Sequence, residues 1–213
     1  SAKAEAEKRA KDEAARRERW KAKLGRAGIP ERFRDRTLQA YVATAPEQQF
    51  AKDFAEDYAN NFAAVRKTGR SAIFVGLPGT GKTHLAVGIA LRAMGRFDID
   101  AVFVSVRHLL LQVKHTYAKD AARTELEVLQ DYIEPDLLIL DEVGVQKGSD
   151  FEKDTIFDVI NARYEQRKPT IFLSNLQIDE VAAYLGERVM DRLKEDGGAM
   201  VPFTWESDRG KQH

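Results

Sequence analysis

Residues 72–83 read "AIFVGLPGTGKT". Ala72–Val75 is a short apolar run that suits a buried strand, and Gly76 ends it. Gly76–Thr83, "GLPGTGKT", matches G-x-x-x-x-G-K-[ST] in full, and a helical pattern follows over 82–94. The glycines let the backbone curl until successive N–H groups point at phosphate oxygens. The helix behind them adds its N-terminal partial charge. In such a loop Lys82 reaches the β- and γ-phosphates, and the Thr83 hydroxyl ligates Mg²⁺. The nucleotide-binding run is therefore Gly76, Leu77, Pro78, Gly79, Thr80, Gly81, Lys82, Thr83 and His84, for ATP or ADP with Mg²⁺. A chance match in a chain of this length has a probability of about 1%. The strand before the loop and the helix after it make an ordinary glycine turn the weaker reading.

Downstream, "DLLILDE" (136–142) is another apolar run, and it leaves Asp141 and Glu142 at its C-terminal end. Ligand sites in parallel α/β sheets form at that end. Asp141 is expected to hold Mg²⁺ through water, and Glu142 to act as the base that polarises an attacking water. "TIFLSN" (170–175) ends in Ser174 and Asn175, polar groups placed to orient water or touch the γ-phosphate. The competing role for Asn175 is to cap the next helix, with Asp179 as the other cap candidate. "AVFVSV" (101–106) reads as a second buried strand. "AMVPFTW" (199–205) reads as a fifth, at an edge because of Pro202. Helices are expected over 47–67 (through Phe50, Phe54, Tyr58, Phe62 and Val65), 107–119, 122–133 and 150–167, with two short ones over 178–195. Strands alternating with helices predict an α/β fold with a five-stranded parallel sheet.

The formal charge is zero over 213 residues, but it is unevenly spread. Residues 1–26 hold ten Lys/Arg against five Asp/Glu, a surplus the rest of the chain cancels. Residues 2–24 are strong helix formers with little to bury, a solvated helix about 35 Å long. "GRAGIPERFRDRTLQAY" (25–41) is a connector carrying Phe33, Leu38 and Tyr41. The division expected is 1–27, a charged linker helix, and 28–213, an ATPase domain. The start at Ser1-Ala2 points to a truncated chain or a tag remnant, with a preceding domain missing. The absence of cysteine excludes disulfides, thiol nucleophiles and Cys-based zinc sites. No apolar run approaches the length of a membrane span, and no signal peptide is visible. No membrane contact is expected, and the location expected is cytoplasmic.

"LGERVMDRLKEDGG" (185–198) puts Arg188 and Arg192 four apart, with Val189 and Leu193 one step round. By itself it is a short charged helix. Beside a phosphate loop, the two arginines become candidates for a γ-phosphate held elsewhere.

Phosphate loop, acidic pair, strand-end Asn and late arginines, in this order, resemble the AAA+ ATPases. "GIPERFRDRTLQAY", "GKTHLA", "LLILDEVGVQ" and "LGERVMDRL…FTWES" look like the DnaC-type bacterial replicative helicase loaders, from about Arg16 to Lys211. DnaI-type loaders and IstB-type transposition ATPases share the architecture. The resemblance implies a slow, switch-like ATPase that places a ring-shaped replicative helicase on single-stranded DNA and self-associates in a spiral or ring. It assigns Arg192 as the arginine finger acting on a neighbour's ATP, Asn175 as sensor 1 and Arg209 as sensor 2, and lays the connector near the adenine. It implies that residues 1–24 are the tail of a linker from a missing helicase-binding domain. The 38 residues after Asn175 allow only a minimal C-terminal lid.

Loader relatives touch single-stranded DNA with the region of "RHLLLQVKHTYAKD" (107–120) and with the loop after the acidic pair. That makes Tyr117, Ser149 and Phe151 candidates, with Lys114 and Lys147 supporting, because basic groups track phosphates and rings stack bases. From the residues alone, Tyr117 and Phe151 serve equally well as half-buried packing. The alternatives are an IstB-like transposition helper ATPase, a small-molecule P-loop kinase, for which no acceptor signature is visible, and a nucleotide-gated binding module.

Overall fold

The structure, a computed structural model, describes residues 2–145 and 148–206 of the chain. The expected sheet is present. Its strands are β1 (Ala72–Gly76), β2 (Ala101–Ser105), β3 (Leu137–Asp141), β4 (Thr170–Ser174) and β5 (Ala199–Phe203), all paired in parallel. The order across the sheet is β2-β3-β4-β1-β5. β1 is therefore an interior strand between β4 and β5, and the chain leaving it passes over two strands to reach β2.

Alternate strand residues feed two cores. Phe74, Leu137, Ile139, Ile171, Leu173 and Val201 face one layer. Its helices are the end of α1 (Ala2–Arg26), α2 (Pro46–Asn60), α3 (Phe62–Thr68) and α4 (Lys82–Phe97). Ile73, Val75, Leu138, Leu140 and Phe172 face the other. That layer holds α5 (Val106–His115), α6 (Glu125–Ile133), α7 (Asp150–Glu165), α8 (Ile178–Leu185) and α9 (Glu187–Glu195). A sheet covered on both faces needs near-continuous apolar strands, and the sequence supplies them.

Helix starts follow local chemistry. The side chains of Ser105, Thr124 and Ser149 each accept a backbone N–H from the first turn of the helix they precede. Glu127 completes the Thr124 cap by accepting from the Thr124 N–H at 2.7 Å. Inside α4, Gly88 lies against the connector, where a Cβ would stand 2.6 Å from Leu38 Cδ2. Its lack of a side chain lets the strap 28–41 lie flat on the helix.

Three sequence expectations are corrected. The single helix over 47–67 is two, broken at Asn61, whose φ of −102° and ψ of 24° leave the helical region. Phe50, assigned to its apolar face, is 60% exposed. Ala51, Ala55 and Ala59 line the buried stripe instead, because α2 packs closely on α4 and small residues permit that approach. β2 lies at the edge of the sheet and is only partly buried. Pro202 sits, as expected, on the other edge, in β5, which pairs with β1 alone.

The charged helix α1 is exposed over most of its length, but its last turns join the core. Leu24 and Ala27 are buried, and Trp20 is half-buried. Ala27 O accepts the Phe103 N–H at 2.7 Å, which fastens this segment beside β2. No helix among the described residues is long and apolar enough to cross a membrane.

Candidate nucleotide-binding site

Two glycines of the loop after β1 meet other parts of the chain closely. A Cβ on Gly76 would stand 2.1 Å from Phe203 O, so β5 passes where only glycine fits. Gly81 has a φ of +95°, and a Cβ there would stand 2.6 Å from the Tyr41 ring. The Lys82 side chain lies along the loop, 7% exposed. Its ammonium donates to Gly76 O at 2.6 Å and Leu77 O at 2.8 Å. Thr80 Oγ1 also donates to Leu77 O, at 2.8 Å. Thr83, half-buried, occupies the first turn of α4.

Aromatic residues brace this loop from two sides. The Trp205 indole N–H donates to Thr80 O at 3.0 Å, and its ring stacks obliquely on Phe203 at 4.9 Å. On the other side, His84 Nε2 bonds Thr37 O at 2.8 Å, and its ring meets Tyr41 edge-on at 5.2 Å. Burial lowers the His84 pKa, against the opposing pull of the Thr37 carbonyl. The neutral ring then donates through Nε2–H. Lys52 donates to Tyr41 O at 3.0 Å. The connector is thus latched over the start of α4. Its Gly/Pro punctuation signals a loop; nothing local to Tyr41 or Trp205 signals which loop each would meet.

The acidic pair stands at the end of β3. Asp141 Oδ1 accepts the Glu142 N–H at 2.7 Å, and Glu142 takes a left-handed φ of +58°. Such a backbone costs a non-glycine residue about 1–2 kcal/mol, so neighbouring bonds must hold it. Val143 N–H donates to Leu173 O at 3.0 Å, and Ser174 Oγ donates to Val143 O at 2.6 Å. Burial raises the Asp141 pKa. The Glu142 N–H and the Lys82 charge oppose that shift, and the Glu142 charge adds to it. Glu142 itself points to solvent.

At the end of β4, Ser174 is buried and its hydroxyl is committed to Val143 O. It holds the acidic loop. Asn175 is exposed and caps nothing. Gln177 is the N-cap residue of α8, where Glu180 accepts the Gln177 N–H at 2.8 Å; Asp179 lies inside the helix.

Glycine-only backbone around a buried lysine, a first-turn threonine and a strand-end acidic pair fit a magnesium-bound nucleotide. Lys82 and Thr83 begin α4 where the loop from β1 ends, and Asp141, Glu142 and Asn175 stand at the C-terminal ends of β3 and β4.

α8 and α9 meet at Gly186 (φ +81°). Val189 and Leu193 are buried, which turns Arg192 toward α7. Its Nε donates to Asn161 Oδ1 at 2.8 Å, and Nη1 donates to Arg188 O at 3.0 Å. The guanidinium lies 5.2 Å from the Phe157 ring centre and 5.4 Å from that of Tyr164. Arg188 also lies over Phe157, at 5.8 Å.

The structure brings three of the DNA candidates together. Lys114 Nζ is 5.3 Å from the Phe151 ring centre, and the Tyr117 and Phe151 rings meet edge-on at 6.2 Å. Tyr117 is 59% exposed and donates to Glu125 at 3.1 Å, whereas Phe151 is half-buried. The Ser149 hydroxyl caps α7. Lys147 and Arg209 lie outside the described residues.

A phosphate loop after an interior strand of such a parallel sheet, with acids ending β3, defines a P-loop protein of the AAA+ class. The chain belongs to the IstB-like ATP binding protein family, whose model matches residues 10–212. It is 34% identical over 161 residues to the replicative helicase loader DnaC of Escherichia coli K12, covering 76% of this chain and 62% of that protein. It is also 34% identical over 192 residues to the DnaC loader of Buchnera aphidicola subsp. Baizongia pistaciae, covering 89% and 76%. The chain therefore spans 62% of the length of the E. coli relative. A crystal structure of the DnaC helicase loader superposes with a TM-score of 0.71 at 25% identity, over 81% of this chain and 99% of that one. AMPPCP-bound DnaA from Aquifex aeolicus shares the fold at a TM-score of 0.65 and 20% identity, over 82% and 50%. These relatives bear out the resemblance to DnaC-type loaders and the AAA+ fold class.

Proposed function

We propose that this protein is an ATP-dependent loader that helps place a replicative helicase on single-stranded DNA. One observation carries the reading: a complete Gly76–Thr83 loop and its acidic pair lie in a chain that matches helicase loaders over most of its length.

In this reading the loop amides hold the phosphates. Lys82 exchanges the Gly76 and Leu77 carbonyls for phosphate oxygens, a stronger, charge-assisted pairing. Thr83 and, through water, Asp141 would hold Mg²⁺, and the bound ion would offset the phosphate charge. Burial of Asp141 disfavours its unpaired negative charge and so favours pairing with a cation. Glu142 accepts a proton from the attacking water, and Asn175 orients that water. Arg192 acts on the γ-phosphate of a neighbouring copy in a spiral or ring-like assembly, and Arg209 acts in its own subunit. Lys114, Tyr117 and Phe151 contact single-stranded DNA. The helicase is met through residues N-terminal to the ATPase unit.

The test is ATP turnover against protein concentration, with and without single-stranded DNA, for wild type, Glu142→Gln and Arg192→Ala. Turnover per protomer should rise with concentration. Glu142→Gln should lower it by about 10²–10⁴, the span of a positioned general base. Arg192→Ala should still bind ATP but lose the concentration-dependent part. Equal turnover in Arg192→Ala would remove the finger. The match to the IstB-like family favours one other reading, a transposition helper ATPase. Capture of transposase and not of helicase would select it.

A further inference from the structure

Phe157, Asn161 and Tyr164 stand at i, i+4 and i+7 on α7, so they share one face. α9 lays Arg192 across that face. Asn161 is doubly engaged: its Nδ2 donates to Glu165 Oε1 at 2.9 Å, and its Oδ1 accepts from Arg192 Nε at 2.8 Å. The Glu165 carboxylate accepts only, so it fixes which end of the amide faces the arginine. Tyr164 donates to Glu195 at 2.6 Å, which ties the end of α9 to the same face.

The partners of Arg192 share one property: none carries a charge. They are two aromatic rings, one amide oxygen and the Arg188 carbonyl. Among the described residues, Arg192 has no carboxylate within ion-pair distance, and its Nη2 makes no hydrogen bond. A helix that needed only pinning to α7 would be served as well by a carboxylate at position 161. An aspartate there would pair with the guanidinium and neutralise it. The amide restrains the same atom and leaves the charge intact.

We propose that Asn161 is the positioning residue of Arg192, holding the guanidinium on the α7–α9 surface with Nη2 presented to a phosphate in a second copy of the chain. This rests on the finger role proposed above. Position and charge are then separate requirements: Asn161→Ala loses the first, and Asn161→Asp keeps the first and loses the second.

Trans-complementation tests it. Lys82→Ala protomers have no working site of their own but carry an intact Arg192. Mixed with Arg192→Ala protomers and single-stranded DNA, they should restore turnover. Donors carrying Lys82→Ala with Asn161→Ala should restore less by about tenfold to a hundredfold, the scale of a misplaced reacting group. Donors with Lys82→Ala and Asn161→Asp should fail similarly while unfolding no earlier than the Lys82→Ala donor. That separates aiming from mere support of α9. Asn161→Asp donors that rescue as well as Asn161 donors overturn the proposal, and that arm decides the matter if the Ala variant does not fold. Full rescue by folded Asn161→Ala donors overturns it too. Failure of the Lys82→Ala control donor, or wild-type turnover in Arg192→Ala alone, overturns the finger reading instead.

Discussion

Arg163 and Arg192 bear on different faces of the same helix and are treated in opposite ways. Arg163 is 1% exposed. Its Nη1 donates to the carbonyls of Tyr132, Ile133 and Pro135 at 2.8–3.0 Å. Its Nη2 reaches Pro169 O at 2.6 Å, and Nε reaches Thr170 Oγ1 at 2.9 Å. Burial pushes its pKa down to about 9, so it remains a guanidinium at neutral pH. It satisfies the last carbonyls of α6 and ties them to the start of β4. Arg192 is half-exposed, rests on two rings and uses only part of its donor set. A saturated buried cation holds the fold together. A restrained cation with donors to spare is suited to a ligand that arrives from outside.

The largest effect expected is on the buried side. Arg163→Met strands several carbonyls and should cost roughly 3–5 kcal/mol of stability, the scale for breaking a buried charged network. In thermal unfolding this is a fall of about 10 °C for a domain of this size, the same at every protein concentration. A variant that melts with wild type would break the contrast. On the exposed side, Arg192→Ala should change stability by no more than about 1 kcal/mol, the worth of a surface cation–π contact. Its melting curve should nearly overlay that of wild type even though assembly-dependent turnover is lost. A large fall would make Arg192 a second Arg163.

The smallest effect extends the comparison to a group able to shed its charge. His84 is half-buried against Thr37 O, and its folded pKa lies below the ordinary 6.5. The unfolded chain therefore binds the extra proton first. The stability contributed by neutral His84 is fully present above pH 6.5 and is lost as pH falls from there through the lowered folded pKa. Unfolding free energy measured across that window should fall less steeply in His84→Gln than in wild type. Parallel slopes would show that His84 does not titrate against the strap.

Much of this was legible before any coordinates. Each strand segment was visible because a sheet covered on both faces demands apolar runs of a few residues. The phosphate loop was visible because its chemistry depends on consecutive backbone groups. The acidic pair was visible from its place at a strand end. What was not legible depended on partners distant in the chain. Phe50 has the spacing of a core residue, but the close contact of α2 with α4 selects alanines and turns Phe50 outward. Ser174 has the right position for a water-orienting group, but the loop carrying Glu142 comes down on it. Neither Trp205 nor Tyr41 carries a local signal that it will brace the phosphate loop.

The sequence by itself determined the fold class and the place of the Gly76–Thr83 loop between a strand and a helix, because both are written in contiguous residues whose backbone geometry does the work. Only the tertiary structure decided which groups each arginine meets. A guanidinium has the same five donors wherever it stands, and its role is set by which acceptors surround it. For each, a deciding acceptor lies about thirty residues away along the chain, Tyr132 for Arg163 and Asn161 for Arg192. Folding alone places carbonyls around the first, and rings and one amide around the second.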